Sequence, residues 1–185
     1  MKELEDLENL KNIVESLSGI MSSEELSDTL NDKSYELSIE TKFVNKSNNI
    51  DPVYSKKGDS GFDLRAFIPK PIKIKPLERV LVPTGLKFEL SPNTELQVRP
   101  RSGMALKYGI SVLNTPGTVD EGYRGDVSII LVNLSNEEYT VEPGERIAQG
   151  VIQHVVGQNI SKLTKVESLS DTERGSSGFG STGKK

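Results

Sequence analysis

The sequence predicts an all-β fold, a sandwich or a barrel, from Tyr35 onward. Short runs rich in β-branched residues alternate there with turn residues, and the apolar spacing typical of helices is absent. Prolines recur between the runs, as in loops and edge strands but not in central strands. The predicted strands are Ser38–Val44, Arg79–Val82, Leu86–Leu90, Glu95–Val98, Tyr139–Val141 and Arg146–Val156.

Two further runs, Ile110–Leu113 and Val127–Val132, predict a single β-hairpin around a segment rich in turn residues. That segment reads Asn114-Thr-Pro-Gly-Thr-Val-Asp-Glu-Gly-Tyr-Arg-Gly-Asp126. We expect Asp120 and Tyr123 at or near the bend, which would place a carboxylate beside an aromatic ring. A turn without chemistry explains the same residues equally well, because Asp, Gly and Pro favour turns for local reasons.

The region before Tyr35 predicts helix instead of strand. Apolar side chains recur over residues 2–21 at alternating spacings of three and four, at Leu7, Leu10, Val14, Leu17 and Met21. Such an amphipathic helix packs on its own domain or on a partner, and both alternatives stay open. We assign residues 1–34 to an acidic helical extension and linker, 35–170 to the β domain, and 171–185 to a glycine-rich C-terminal arm.

Composition excludes several kinds of site. The chain has no cysteine and one histidine, His154, so disulfides, thiolate metal sites and a Ser-His-Asp triad are not expected. Residues 1–40 hold 11 acids and 3 bases, whereas the rest holds 16 acids and 20 bases. A mildly basic body accommodates a small anion but lacks the concentrated basic patch of a duplex nucleic-acid binder.

Targeting signals are missing from the sequence as well. No apolar run approaches the length of a membrane span, and the first residues do not form a signal peptide. We therefore expect a soluble protein of the cytoplasm, of a host cell if the source is viral, with no membrane partner.

Phosphate-binding chemistry is suggested by the segment Arg99-Pro-Arg-Ser-Gly103, which follows a predicted strand. A guanidinium, a hydroxyl and a glycine amide suit phosphate oxygens, although a turn facing solvent would contain the same residues. Farther along, Arg146 and Gln149 would point to opposite faces of an extended strand, and Gln149 is favoured as the ligand contact.

Glycine and serine dominate the last twelve residues, Arg174-Gly-Ser-Ser-Gly-Phe-Gly-Ser-Thr-Gly-Lys-Lys185. The segment matches a dinucleotide-binding fingerprint by letter only, because no helix follows it. We expect a mobile arm that a ligand orders, with hydroxyls and Arg174 as a phosphate clamp and Phe179 stacking on a flat group. With an acid, phosphate donors and two rings, the chain suits magnesium-assisted chemistry on a nucleoside polyphosphate.

Five short segments, taken together and in order, resemble the motifs of the homotrimeric deoxyuridine triphosphatases (dUTPases), and the resemblance covers Tyr35 to Lys185. The segments are Ser60-Gly-Phe-Asp-Leu-Arg-Ala66, Arg99-Pro-Arg-Ser-Gly-Met-Ala105, Gly117-Thr-Val-Asp-Glu-Gly-Tyr-Arg-Gly125, Gly144-Glu-Arg-Ile-Ala-Gln149 and Arg174-Gly-Ser-Ser-Gly-Phe-Gly-Ser-Thr182. Three positions depart from the commonest pattern: Phe62, Asp126 and Ser177.

This resemblance implies a distorted jelly-roll β-barrel, a homotrimer with active sites shared between subunits, and cleavage of dUTP to dUMP and pyrophosphate. Asp120 would contact the 3′-OH and activate a water for in-line attack on the α-phosphorus. The hairpin backbone, with Asn114 and Gly117, would bind the uracil edge. Tyr123 would pack under the deoxyribose and exclude a 2′-OH, and Phe179 would close over the base.

The resemblance also implies the phosphate contacts. Arg101, Ser102, Gly103 and Gln149 would bind the phosphates, and the arm would add Arg174, Gly180, Ser181 and Thr182. Mg²⁺ would bridge the three phosphates largely through water, with Asp63 in its outer shell.

Two other functions remain open. A dCTP deaminase has the same fold and a related hairpin, although the aromatic arm favours the hydrolase. Alternatively, a regulatory binding protein could use the nucleotide pocket as a switch, with the N-terminal helix engaging a protein partner.

Overall fold

The computed structural model describes residues 39–157 and 161–176. Within these ranges the chain forms eleven strands and one helix, and every strand pairing is antiparallel. The elements are β1 (Lys42–Asn45), β2 (Phe62–Arg65), β3 (Ile72–Ile74), β4 (Arg79–Pro83), β5 (Leu86–Glu89), β6 (Thr94–Arg99), α1 (Ser102–Tyr108), β7 (Ile110–Val112), β8 (Gly117–Val119), β9 (Ser128–Asn133), β10 (Tyr139–Val141) and β11 (Arg146–His154).

The strands of the described region form four sheets. A four-stranded sheet has the order β2-β11-β6-β8, a three-stranded sheet has the order β4-β9-β7, and two pairs join β1 to β5 and β3 to β10. Strand β6 shows how the sequence produces the core: Thr94, Leu96 and Val98 are buried, and the residues between them are partly exposed. This period of two is what a strand with one buried face requires.

The all-β prediction is confirmed, and each of the predicted strands has a counterpart in the structure. The short elements β2, β3, β8 and α1 were not predicted as such. In α1 only Met104 is buried, so two helical turns present no apolar periodicity. The helix ends at Gly109, whose φ of 66° is the left-handed conformation common at helix C-termini.

The prediction of a single hairpin is wrong in one respect. Strands β7 and β9 do pair, with Ile110 opposite Asn133. Strand β8, which lies between them in sequence, joins the four-stranded sheet instead. There Gly117 pairs with Val98, and a Cβ on Gly117 would lie 3.3 Å from Cβ of Val98. The connection is long enough to contain a strand of its own, and a glycine at its start allows the close approach to β6.

Parts of the sequence-based interpretation lie outside the described residues. These are the predicted helix over residues 2–21 and the arm residues 177–185. No helix in the part of the chain that the structure describes has the length and apolarity needed to span a membrane.

Candidate active site

A polar cavity of about 340 Å³, called here the Arg101 cavity, lies where β2, β11 and the start of α1 meet. It brings together five residues predicted from the sequence to bind phosphate or metal: Asp63, Arg101, Ser102, Gly103 and Gln149. Phe62 also lines the cavity, although most of its side chain is buried in the core. Its ring packs edge-on against that of Tyr54, with the ring centroids 5.7 Å apart.

Asp63 contacts two guanidinium groups, and that of Arg101 lines this cavity with it. Its Oδ1 lies 3.0 Å from Nε of Arg101, and its Oδ2 lies 3.3 Å from Nη1 of Arg146. Arg101 also donates from Nη1 to the carbonyl oxygen of Arg146 at 3.0 Å. The three side chains leave one formal positive charge, and Arg101 has a fixed orientation, as recognition of an oxyanion requires.

A β-bulge in β11 corrects the prediction that Arg146 and Gln149 face opposite ways. The register of β11 on β2 shifts between Arg146 and Ala148, where the chain contains one extra residue. Arg146 therefore reaches Asp63, and Gln149 lines the same cavity as Asp63. Gln149 is fixed by donating from Nε2 to the carbonyl oxygen of Pro100 at 2.9 Å.

The loop before β2 supplies cavity residues that were not predicted from the sequence: Ser55, Asp59, Ser60 and Gly61. The loop turns at Gly58, with a φ of 90°, and Asp59 accepts a hydrogen bond from the backbone N–H of Lys56 at 2.9 Å. A signal existed in the sequence, because polar turn residues run directly into the motif that begins at Ser60.

A second, smaller cavity of about 170 Å³ borders the turn Asp120–Gly125, called here the Asp120 turn. Asp120 and Tyr123 both line it, and the N–H of Tyr123 donates to the carbonyl oxygen of Asp120 at 3.0 Å. These residues lie at a bend, as predicted. Asp120 is exposed, and Tyr123 is 46 % exposed, so a carboxylate and a ring are both accessible to a ligand.

Asn114 and Gly117 lie at the other end of β8. A Cβ on Gly117 would be 3.3 Å from Nδ2 of Asn114, which makes the two residues neighbours. Asn114 is exposed and Gly117 is buried, and neither lines the cavity beside Asp120. Strand β8 therefore presents an amide group at its start and a carboxylate just after its end.

The Arg101 cavity and the Asp120 turn do not meet within one chain. Strand β6 separates them, because the partners of Arg101 lie on β2 and β11 and the Asp120 turn follows β8. Val119 pairs with Leu96, so Asp120 is level with Glu95, six residues before Arg101. At roughly 3.3 Å per residue, the two backbones are about 20 Å apart.

Of the other predicted residues, Arg174 is exposed in a turn closed by a hydrogen bond from the N–H of Gly175 to the carbonyl oxygen of Thr172, at 3.0 Å. Phe179, Gly180, Ser181 and Thr182 lie outside the described residues. His154 is exposed at the end of β11 and lines neither of the two cavities.

Comparison with known proteins identifies the family of the chain. The family model described as dUTPase matches residues 47–183. A deoxyuridine 5′-triphosphate nucleotidohydrolase of Cytophaga hutchinsonii is 54 % identical over 143 residues, which cover 77 % of this chain and 91 % of the relative.

Two solved structures are similar in fold. A dUTPase of Staphylococcus bacteriophage 80alpha with dUPNHPP has a TM-score of 0.67 at 25 % identity, covering 80 % of this chain and 99 % of the other. A variant dUTPase from phage phi11 of S. aureus, described as revealing the coordination of a structural Mg(II) ion, has a TM-score of 0.62 at 18 % identity, covering 71 % and 99 %. From the match over residues 47–183 and the identity to the relative, this chain belongs to the dUTPase family.

Proposed function

We propose that this protein hydrolyses dUTP to dUMP and pyrophosphate. The observation that carries the proposal is the presence of two complementary half-sites in a dUTPase-family chain. One is an exposed carboxylate beside an exposed tyrosine ring, and the other is a cavity with a fixed guanidinium. The first suits a nucleoside and a water, and the second suits a polyphosphate.

At the nucleoside half, Asn114 and the backbone at Gly117 bind the edge of uracil, and Tyr123 packs under the deoxyribose. Asp120 contacts the 3′-OH, accepts a proton from a water and directs that water at the α-phosphorus, in line with the leaving pyrophosphate. The exposure of Asp120 supports this role, because an accessible carboxylate reaches both a water and a sugar.

At the phosphate half, Arg101, Ser102, Gly103 and Gln149 bind phosphate oxygens. Arg101 is the backbone N-cap of α1 and makes no side-chain capping bond there, so its guanidinium serves the cavity. Fixed donors around the leaving pyrophosphate stabilise the negative charge that develops in the transition state.

Both halves act on one substrate when they come from different subunits of a homotrimer. Asp120 must direct a water at the α-phosphorus while Arg101 binds the neighbouring phosphates, and a separation of about 20 Å within one chain prevents this. A head-to-tail interface that closes into a ring offers the phosphate half of one subunit to the nucleoside half of the next.

The arm completes the site in this proposal. Arg174, Gly180, Ser181 and Thr182 contact the terminal phosphates, and Phe179 covers the base, so closing the arm excludes bulk water. A chain that ends at Glu173 is expected to remain assembled and to lose most of its turnover, measured as pyrophosphate release. Full turnover of that shortened chain would contradict the arm's role.

The described residues fit a magnesium ion held through the substrate and not one caged by protein. They contain no group of three or more histidine or carboxylate side chains that could enclose a metal. Both oxygens of Asp63 already contact arginines, and each keeps capacity to accept a hydrogen bond from a metal-bound water. Bound with the triphosphate, Mg²⁺ would neutralise phosphate charge, and Asp63 would be in its outer shell.

Three further parts of the proposal come from the sequence. The resemblance implies that the four sheets together constitute a distorted jelly roll. The apolar spacing alone, outside the resemblance, predicts a helical extension over residues 1–34 that is available to a protein partner, and the cytoplasmic location is likewise an expectation from the sequence.

Pyrophosphate release from a panel of deoxynucleoside triphosphates, with and without Mg²⁺, tests the proposed reaction. We expect cleavage of dUTP alone, and its loss on Asp120→Asn. Ammonia released from dCTP would identify a deaminase instead. A nucleotide that binds without turnover would support the regulatory alternative.

A further inference from the structure

The backbone of the Asp120 turn is fixed independently of the tyrosine ring that it presents. Arg124 donates from Nη1 to the carbonyl oxygens of Glu121, at 2.6 Å, and Tyr123, at 3.1 Å. The carboxylate of Glu121 accepts a hydrogen bond from the N–H of Asn93 at 2.8 Å, which ties the turn to the loop before β6. A change in the ring position need not change the backbone.

The Tyr123 ring lies directly over Gly125. A Cβ built on Gly125 would be 2.9 Å from Cε2 of Tyr123 and closer still to Cζ and Oη of the same ring. The hydroxyl of Tyr123 also donates to the carbonyl oxygen of Asp126 at 3.1 Å, and Asp126 forms an ion pair with Lys87 at 3.6 Å. The ring therefore occupies the space that any side chain at position 125 would need.

With the ring in this position, space and not backbone conformation favours a glycine at position 125. Gly125 is not among the residues with a positive φ, so its backbone is open to any L-residue. Gly122, in the same turn, has no atom within 4 Å of a built Cβ. Gly125 and Gly122 thus differ in whether a tyrosine ring occupies the space that a Cβ would need.

We propose that Gly125 is a specificity-determining position: it lets the Tyr123 ring lie low against the turn, where the ring leaves room for a deoxyribose but none for a 2′-hydroxyl. This inference rests on the proposed function, in which Tyr123 packs under the sugar. Gly125 is a positioning residue, because it acts through the ring and touches no substrate. An alanine at position 125 displaces the hydroxyl end of the ring and breaks its bond to Asp126.

The test compares two ligands, the non-hydrolysable imido analogues of dUTP and UTP, bound to full-length protein in the presence of Mg²⁺ and measured by calorimetry. We expect Gly125→Ala to lower the preference for the deoxy analogue about tenfold or more, the scale at which a pocket discriminates one small group. The matched control Gly122→Ala should keep the preference within about twofold, because its methyl group meets nothing.

A second comparison asks whether Gly125 acts through the ring. In a Tyr123→Ala background, where the clash is absent, Gly125→Ala should change the preference less than about twofold. An independent, full effect in that background would overturn the inference. So would an unchanged preference in Gly125→Ala itself.

Folding provides the remaining measurement. The clashing atoms are the free end of a side chain that is 46 % exposed, so Gly125→Ala should fold with a melting temperature within about 5 °C of the parent. A larger loss of stability would contradict the inference, because the glycine would then serve the fold. If the parent protein shows no preference for the deoxy analogue, the proposed function fails, and that outcome is distinct from failure at Gly125.

Discussion

The two halves of the candidate site are stabilised by different kinds of contact. In the Arg101 cavity, charged side chains from β2, β11 and the start of α1 hold one another, with Asp63 between two guanidiniums. In the Asp120 turn, the contacts are mostly hydrogen bonds to backbone groups, such as those from Arg124 to two carbonyl oxygens. Substitutions that change charge should therefore impair substrate binding in the cavity, whereas substitutions that change geometry should impair the function of the turn.

The largest effect on turnover is expected from a substitution that removes the carboxylate of the Asp120 turn and leaves the geometry of the turn intact. Asp120→Asn keeps the size of the side chain and removes its basicity, so turnover of dUTP should fall about a thousandfold. Since Asp120 is exposed, the melting temperature should not change. Steady-state pyrophosphate release and a thermal melt measure both.

Glu167→Gln is the matched control, because Glu167 is another exposed carboxylate, precedes the arm and lines neither cavity. Its turnover should equal that of the parent. Equal turnover in Asp120→Asn would remove the acid from the mechanism.

Mixing subunits tests whether the two halves come from different chains. Asp120→Asn and Arg101→Ala each inactivate one half, so a chain carrying either change alone should be almost inactive. Co-expressed in equal amounts, the two chains should regain about a quarter of parental turnover, because about one shared site in four would receive both intact halves. Mixtures no more active than the separate variants would place both halves in one chain.

A smaller effect is expected where charge holds the cavity together. Asp63→Asn removes the negative charge between Arg101 and Arg146, and we expect kcat/KM for dUTP to fall about tenfold, mostly through KM. Arg101→Lys should have a non-additive effect in the same background, because both changes loosen one contact.

A magnesium titration distinguishes two explanations of the lower kcat/KM of Asp63→Asn, a loosened Arg101 and a lost contact to metal-bound water. If Asp63 acts by holding Arg101, excess Mg²⁺ leaves the higher KM unchanged. Recovery of the parental KM at high Mg²⁺ would instead assign Asp63 to the metal's outer shell alone. Titrations of MgCl₂ at constant ionic strength distinguish these outcomes, because salt itself screens the partly exposed ion pairs.

Local patterns in the sequence were sufficient for much of the fold. Strand β10 was predicted with its observed bounds, and β4 to within one residue, because alternation and turn residues are read from neighbours along the chain. Strand β8 was not predicted, because it begins with Gly117 directly after Pro116, and that pair of residues is typical of a turn. The bulge in β11 was missed because a register shift depends on the partner strand, β2.

For the candidate site, the sequence predicted residue types better than contacts. Five of the residues that line the Arg101 cavity were predicted as site residues from their chemistry and from a family resemblance. The position of Asp63 between two arginines was not predicted, because Asp63 and Arg146 are 83 residues apart. Contacts of that kind depend on the packing of whole strands, which short patterns do not contain.

The smallest effect is expected at Tyr139, which lines neither of the two cavities and contacts a carboxylate through a neutral hydroxyl. The hydroxyl of Tyr139 donates to the carboxylate of Glu145, next to Arg146 in sequence, and the ring of Tyr139 contacts Tyr108 at 5.2 Å. Burial, and then the bond to Glu145, raise the pKa of Tyr139 above its ordinary value of 10.0. Tyr139→Phe should lower the free energy of unfolding by about 1 kcal/mol at pH 8 and leave turnover nearly unchanged.

The pH dependence of this difference follows from the direction of the shift. The folded chain keeps the phenolic proton to a higher pH than the unfolded chain does, so the contribution of the hydroxyl is complete below about pH 10 and declines as the pH rises further. Urea unfolding at pH 8 and pH 11 should therefore show a smaller gap between parent and Tyr139→Phe at the higher pH. Tyr108→Phe, which retains the ring contact, is the control. A gap that stays constant or widens with pH would mean that the hydroxyl does not hold its proton more tightly in the folded chain than in the unfolded chain.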